Sequence, residues 1–261
     1  MKLSVVVPAK NEESVIEKTV RYIYAALKAE KIPHEIIVVD DHSMDRTWWI
    51  LMSLRKELPT LHPIKNELSP GFGLAVQIGL ERMRGDVVCV MMADGSDDPD
   101  DLVVYYRKLV ESGVDCVFGS RFIRGSKVHN YPVIKLVLNR LTNWCIKILF
   151  SIRYNDVTNA FKMFRRDVIA GLTPLLSRHF NLTVELPLKA IVRGYSFEVV
   201  PISWRQRKMG ISKLKLQEMG SRYMFIILYC FLEKWLSRGD YRRPATSDRS
   251  QANAAKEYKR A

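Results

Sequence analysis

Short apolar runs alternate with helically spaced segments over the first 120 residues of this 261-residue chain, and this alternation narrows the fold more than any other feature. Leu3 to Val7 is a continuous apolar run. From Asn11 onward Val15, Ile16, Thr19, Val20, Ile23, Tyr24 and Leu27 recur with the period of a helix. Glu35 to Val39 is a second β-branched run, and Asp45 is placed to cap a helix over Arg46 to Glu57. Pro70, Gly71 and Gly73 open a helix through Arg82, Val87 to Met92 reads as a third strand, and Leu102 to Val110 reads as a helix before Val114 to Phe118. Such βαβα repetition predicts an α/β domain with a mainly parallel sheet and helices on both faces. Right-handed crossovers then gather the loops after the strands, Pro8 to Glu13, Asp40 to Asp45 and Asp94 to Asp97, along one edge as a ligand cleft.

The third of those loops is the most charged. Val87 to Asp101 reads VVCVMMADGSDDPDD and delivers five carboxylates just past a strand. Acids this close repel one another unless a divalent metal, a helix N-terminus or water offsets their charge. Asp98 followed by Pro99 fits an N-cap with proline at the first helical position, and Asp100 and Asp101 fit the first turn. Asp94 and Asp97 precede the cap and remain for metal or phosphate chemistry.

Charge is unevenly divided. Residues 1 to 120 carry 14 Lys and Arg against 19 Asp and Glu, a net of −5, and residues 121 to 261 carry 27 against 9, a net of +18. The second half therefore calls for an anionic partner: nucleic acid, an anionic membrane face or a phosphorylated small molecule. Its basic residues are interleaved with apolar stretches and match no finger, homeodomain or RNP pattern, which argues against nucleic acid. Cys89, Cys116, Cys145 and Cys230 are widely spaced without a CxxC pair, as expected of core thiols in a reducing compartment. Pro8 interrupts the first apolar run, leaving it too short for a signal peptide or a span, so the N-terminus is expected in the cytosol.

VVVPAKNEE at Val5 to Glu13, VVDDHSMDRT at Val38 to Thr47, PGFGLAVQIGL at Pro70 to Leu80, the Asp94 loop and GSRF at Gly119 to Phe122 together resemble the family-2 glycosyltransferases of GT-A fold. NDVTNAFKMFRR at Asn155 to Arg166, the Glu185 helix and RKMGISK at Arg207 to Lys213 extend the resemblance to the polyprenol-phosphate (dolichol-phosphate mannosyl or glucosyl) transferases, over about Leu3 to Leu216. The resemblance implies a hexose donor carried on a nucleoside diphosphate, a polyprenyl-phosphate acceptor and Mg2+ or Mn2+. It places Pro8, Lys10 and Glu12 in the nucleotide pocket, Val39 and Asp41 at the base, Ala93 beside the donor, Asp94 on the metal with Asp97 assisting, and Arg121, Arg207 and Lys213 on phosphate. Glu185 is the acceptor-side candidate. A leaving nucleoside diphosphate gains negative charge in the transition state, so a cation and fixed Arg or Lys donors favour that state over the ground state.

This chain departs from the family where Met92 stands for the first acid of the DxD motif and Ser96 for a polar amide. Methionine is a poor ligand for a hard cation. Either Asp94 holds the metal with donor phosphates, water and Asp97, or metal dependence is weakened. An acceptor hydroxyl needs a base, for which Glu185, Asp97 and Asp156 are the candidates, whereas a lipid monophosphate is already anionic near neutral pH and attacks unaided.

The lipid also suits the later chain. The organisation expected is a transferase domain over 1–216, an apolar docking helix over 217–236 and a mobile basic tail over 237–261. Within the first lies a helix at about 133–152, either interfacial with its lysines toward headgroups or packed on the sheet as a core helix. YMFIILYCFL at Tyr223 to Leu232 is too short to cross a bilayer. It reads as an interfacial anchor, a docking surface for a membrane subunit or a second copy, or a buried helix, and the protein is expected to be peripheral at the cytosolic membrane face.

Overall fold

The computed structural model describes residues 1–205 and 216–243, including a helix whose first four side chains are left aside. The elements in chain order are β1 (Leu3–Ala9), α1 (Ile16–Ala29), β2 (His34–Asp40), α2 (Thr47–Glu57), β3 (Leu61–Lys65), α3 (Phe72–Arg82), β4 (Val87–Val90), α4 (Pro99–Ser112) and β5 (Cys116–Ser120). They continue with β6 (Lys127–His129), α5 (Val133–Phe150), β7 (Lys162–Arg165), α6 (Arg166–Leu172), α7 (Leu182–Val192), β8 (Phe197–Pro201), β9 (Ser203–Arg205) and α8 (Leu216–Leu236).

Seven strands form one sheet in the order β3-β2-β1-β4-β7-β5-β8, and β6 pairs with β9 in a separate two-stranded sheet. The large sheet is parallel except at β7, which runs antiparallel to both β4 and β5. β4, β1 apart from Ser4, and the Ile36–Val39 centre of β2 are apolar because both of their faces are covered. One face packs against α1, α2 and α4 around Val5, Val38, Leu51 and Leu102, and the other against α5 to α8 around Val6, Phe164, Val184 and Ile226. β3 carries Pro63 inside it, which is tolerable because this strand sits at the sheet edge and need not donate on its outer side.

The start of α4 follows the capping chemistry expected, and α2 begins one residue later than expected, with Arg46 and not Asp45 at its N-cap position. The Asp98 side chain accepts the Asp100 N–H with Pro99 in the first turn, and Gly113 in the left-handed region (φ 68°) ends α4. The Asp45 carboxylate accepts the Thr47 N–H at 2.9 Å at the start of α2. α3 enters through Gly71 and Gly73 because a Cβ on either would strike the main-chain carbonyl of Arg178 or Ser177.

The polar stripe of α5 divides: Asn143 is buried and Asn139 half-buried, and they bond the Val157 N–H and the Thr158 hydroxyl, while Lys135 and Lys147 are exposed. Ile134, Leu141 and Trp144 are 76, 55 and 60 % exposed. The seven residues after α8 are not loose, since Arg243 donates its N–H to the Arg193 carbonyl and its guanidinium to Asp115. The rest of the expected tail lies outside the described residues.

Candidate active site at the carboxyl edge of the sheet

The three polar loops do converge past the carboxyl ends of β1, β2 and β4. Pro8 is buried at the end of β1, and Lys10 just beyond it brings Nζ to 3.8 Å from Asp41 Oδ2. The Asp41 carboxylate is buried and accepts from Asn66 Nδ2 (2.7 Å) and from the Gly71 N–H, which fixes it between the β2 loop and α3. The Glu12 N–H donates to Thr47 Oγ1 and its carbonyl starts α1. Val39 has no exposed surface and packs with Ile37 and Ala75, so its side chain belongs to the core.

The acid loop is held by its own side chains. Asp94 Oδ1 accepts the Ser96 N–H at 3.1 Å, and Gly95 adopts φ 69° to make the turn. The Ala93 carbonyl takes the Thr19 hydroxyl at 3.0 Å. Asp97 is turned inward, accepting the Met92 N–H at 2.9 Å. Burial pushes its carboxyl up to about 7, with the Met92 bond opposing and the Asp94 charge adding. Asp101, expected only to favour the helix dipole, also accepts the Ser203 N–H, and burial raises it to about 6.

These bonds stitch β9 to the acid loop. Trp204 bridges Asp97 in antiparallel fashion, and the Arg205 N–H donates to the Ser96 carbonyl at 3.2 Å. A cavity of about 440 Å³ opens beside the loop, lined by Lys18, Thr19 and Tyr22 of α1, by Asp94 to Pro99, and by Ser203 and Arg205. Lys18, Tyr22 and Arg205 carried no sequence signal: each is a lone polar position whose neighbours are chosen by chain topology. Arg207 and Lys213, the expected phosphate contacts, lie outside the described residues.

Arg121 is part of a buried pair. Its Nε and Nη2 meet the two Asp156 oxygens at 2.8 and 2.7 Å, and Nη1 donates to the Tyr131 hydroxyl at 3.3 Å. The guanidinium lies 5.4 Å from the Tyr131 ring centroid and 5.9 Å from that of Trp204. Its titration stays above the ordinary arginine range because Asp156 offsets the burial. Asp156 is thus a salt-bridge residue, and most of the Arg121 fork is occupied.

The acceptor assignment of Glu185 is corrected. Its carboxylate is fully buried, accepts the Leu176 and Ser177 N–H groups at 2.8 and 2.7 Å, and pairs with Lys189 at 2.6 Å. Those bonds pin the α6–α7 loop and leave no surface for an acceptor.

Among the described residues no three His, Cys, Asp or Glu side chains are grouped to hold a metal ion. Asp94 on the cavity wall, with Asp97 below it, fits a hard cation that takes one or two carboxylates from protein and further oxygens from a bound diphosphate.

Residues 4–172 match the glycosyl transferase family 2 domain, and the chain belongs to that family. It is a glycosyltransferase. It is 30 % identical over 216 residues to polyprenol monophosphomannose synthase of Mycolicibacterium smegmatis, covering 80 % of each chain. Dolichol-phosphate mannosyltransferase of Pyrococcus furiosus is 33 % identical over 220 residues, which span 82 % of this chain and 60 % of that longer protein. Glucosyl-3-phosphoglycerate synthase from Mycobacterium tuberculosis, solved with Mn2+, UDP and glucosyl-3-phosphoglycerate, shares the fold at TM-score 0.65 with 17 % identity, covering 89 % of this chain and 79 % of that one. The same synthase has also been solved with Mg2+ and UDP.

Proposed function

We propose that this glycosyltransferase moves a hexose from a nucleotide-diphosphate sugar to a polyprenyl phosphate at the cytosolic membrane face, by a single inverting displacement. The observation that carries the lipid acceptor is the outward turn of the apolar side chains on α5 and α8. Phe225 and Trp235 are 60 and 62 % exposed on α8, as Ile134 and Trp144 are on α5. Exposed apolar patches mark docking sites, and a lipid acceptor held at a membrane surface gives these two faces an occupant. The names of the two curated relatives point the same way.

Side-chain contacts tie α8 to α5 and α7. Phe150 packs edge-to-face on Phe231, and Lys234 Nζ caps the Phe150 carbonyl at 2.7 Å. The buried Arg193–Glu233 pair, at 2.7 and 3.0 Å, locks α8 to α7. No helix among the described residues is long and apolar enough to cross a membrane, so attachment on this reading is interfacial.

In the reaction, an acceptor phosphate oxygen forms a bond to the anomeric carbon as the bond to the diphosphate oxygen breaks and its electron pair leaves with the nucleoside diphosphate. On this reading Pro8, Lys10, Glu12 and Asp41 line the nucleotide pocket, and Arg207 and Lys213 supply phosphate contacts. A Mg2+ or Mn2+ ion on Asp94 would neutralise charge on the leaving group. No protein base is needed, in accord with the inward placement of Glu185 and Asp97.

Incubation with labelled GDP-mannose or UDP-glucose and a short polyprenyl phosphate is expected to yield an acid-labile glycolipid. Product formed only with a saccharide acceptor would overturn the lipid assignment. Donor binding without any turnover would overturn the catalytic one.

A further inference from the structure

We infer that Lys18 and Arg205 form a cationic clamp over the acid loop, gripping the diphosphate of a nucleotide ligand in the cavity between α1 and β9. This deepens the donor half of the proposed function and rests on it. Arg205 falls outside the RKMGISK segment, and Lys18 belongs to a helix that sequence reading assigned only to packing.

The cavity has mixed charge in a useful arrangement. Asp94 and Asp98 line it alongside Lys18 and Arg205, and its volume of about 440 Å³ is in the range of small-ligand sites. A bare anion would meet the acids, and a bare cation would meet Lys18 and Arg205. A diphosphate carrying a divalent cation would satisfy both, since the carboxylates would hold the cation and the Lys18 and Arg205 side chains the phosphate oxygens.

Both cations line the cavity wall with exposed side chains. Neither makes an ion pair among the described residues; Lys18 Nζ lies 5.3 Å from the Tyr22 ring centroid. Both side chains are exposed, yet their backbones are fixed to the loop they serve. The Arg205 N–H bonds the Ser96 carbonyl, and Trp204 bridges Asp97. α1 is tied to the same loop through Thr19 and the Ala93 carbonyl. Arg205 thus brings a planar fork from one wall and Lys18 a point charge from the other, so phosphate is held from two sides.

Titration calorimetry of the full chain with GDP and UDP in the presence of Mg2+ tests the clamp. Lys18→Ala and Arg205→Ala are each expected to weaken nucleoside diphosphate binding about 5- to 10-fold, as befits loss of a charge-assisted contact. Nucleoside monophosphate binding should change far less, and Arg205→Lys should recover part of the loss. Melting temperatures should not move, because neither side chain is buried. Alanine variants that bind GDP and UDP as the wild type does, while Asp94→Asn has lost them, would overturn the clamp alone. A wild-type chain that binds neither nucleotide would overturn both the clamp and the donor assignment.

Discussion

The acid loop and the α5–α8 surface break the same rule in opposite directions. At the carboxyl edge of the sheet, Asp97 and Asp41 are carboxylates taken out of water. On α5 and α8, tryptophan, phenylalanine and isoleucine are turned into it, while α5 uses Asn143 to face the protein. Stability alone favours neither choice, since burying a carboxylate and exposing an aromatic ring both lose free energy relative to the reverse. The loop tolerates its inversion because main-chain N–H groups of Met92 and Gly71 satisfy the acids. The helices have no internal compensation for theirs, which is why a lipid surface is the occupant proposed for them.

The sharpest break between the two regions comes from Asp94→Ala. Transfer should fall by about 100-fold or more, on the scale of losing a principal charge-stabilising group, while vesicle binding stays intact. Wild-type turnover in that variant would remove Asp94 from the metal site. The complementary change, Trp144→Asp with Phe225→Asp, should cut sedimentation with anionic phospholipid vesicles by about tenfold, a loss of about 1.4 kcal/mol. Donor binding should be unchanged, and vesicle binding equal to wild type would show that these faces do not meet lipid.

Smaller effects test how each inversion is held. Asn143→Leu should destabilise the chain by about 1–3 kcal/mol in urea melts, because the Val157 N–H and the Thr158 hydroxyl lose a buried partner. If stability is unchanged, the inner face of α5 is not specified by its asparagines.

The last prediction concerns Lys162, buried in β7, where its Nζ donates to the Val157 and Thr183 carbonyls at 3.0 and 3.2 Å. Burial lowers its titration from 10.5 to about 7, partly opposed by Asp156. Between those two values the unfolded chain binds more protons than the folded one, so stability contributed by this group rises with pH across that window. Lys162→Met should flatten the rise in melts from about pH 7 to 10. An unaltered pH profile would show that this ammonium does not titrate in the folded protein.

Much of the architecture was legible because it depends on local pattern. The apolar runs of β1, β2, β4 and β5, the bounds of α3 and α5, and the Asp98–Pro99 helix start are written in periodicity and capping chemistry. Short or unusual strands were not. β3 contains a proline, β6 and β9 have three residues each, and β7 is four residues long with a lysine at its head, so none offers a window long enough to show a period of two. β7 also reverses direction within an otherwise parallel sheet, which depends on where the chain re-enters.

The candidate site divides in the same way. Asp94 and Asp41 stand out in sequence because strand ends deliver them to one edge whatever the details of packing. Glu185 looked equally eligible, yet its surroundings turn it inward onto Leu176 and Ser177.

By itself the sequence determined the layered α/β sheet and the edge at which its polar loops gather, since these follow from the spacing of apolar and acidic residues along the chain, and its motifs carried the resemblance to the family. Only the tertiary structure decided which acids are spent on main-chain N–H groups, which face of α5 meets water, and that Lys18 and Arg205 share a cavity with Asp94. Those outcomes rest on contacts between segments far apart in the chain, where burial and hydrogen-bond geometry, not local propensity, set the free energy.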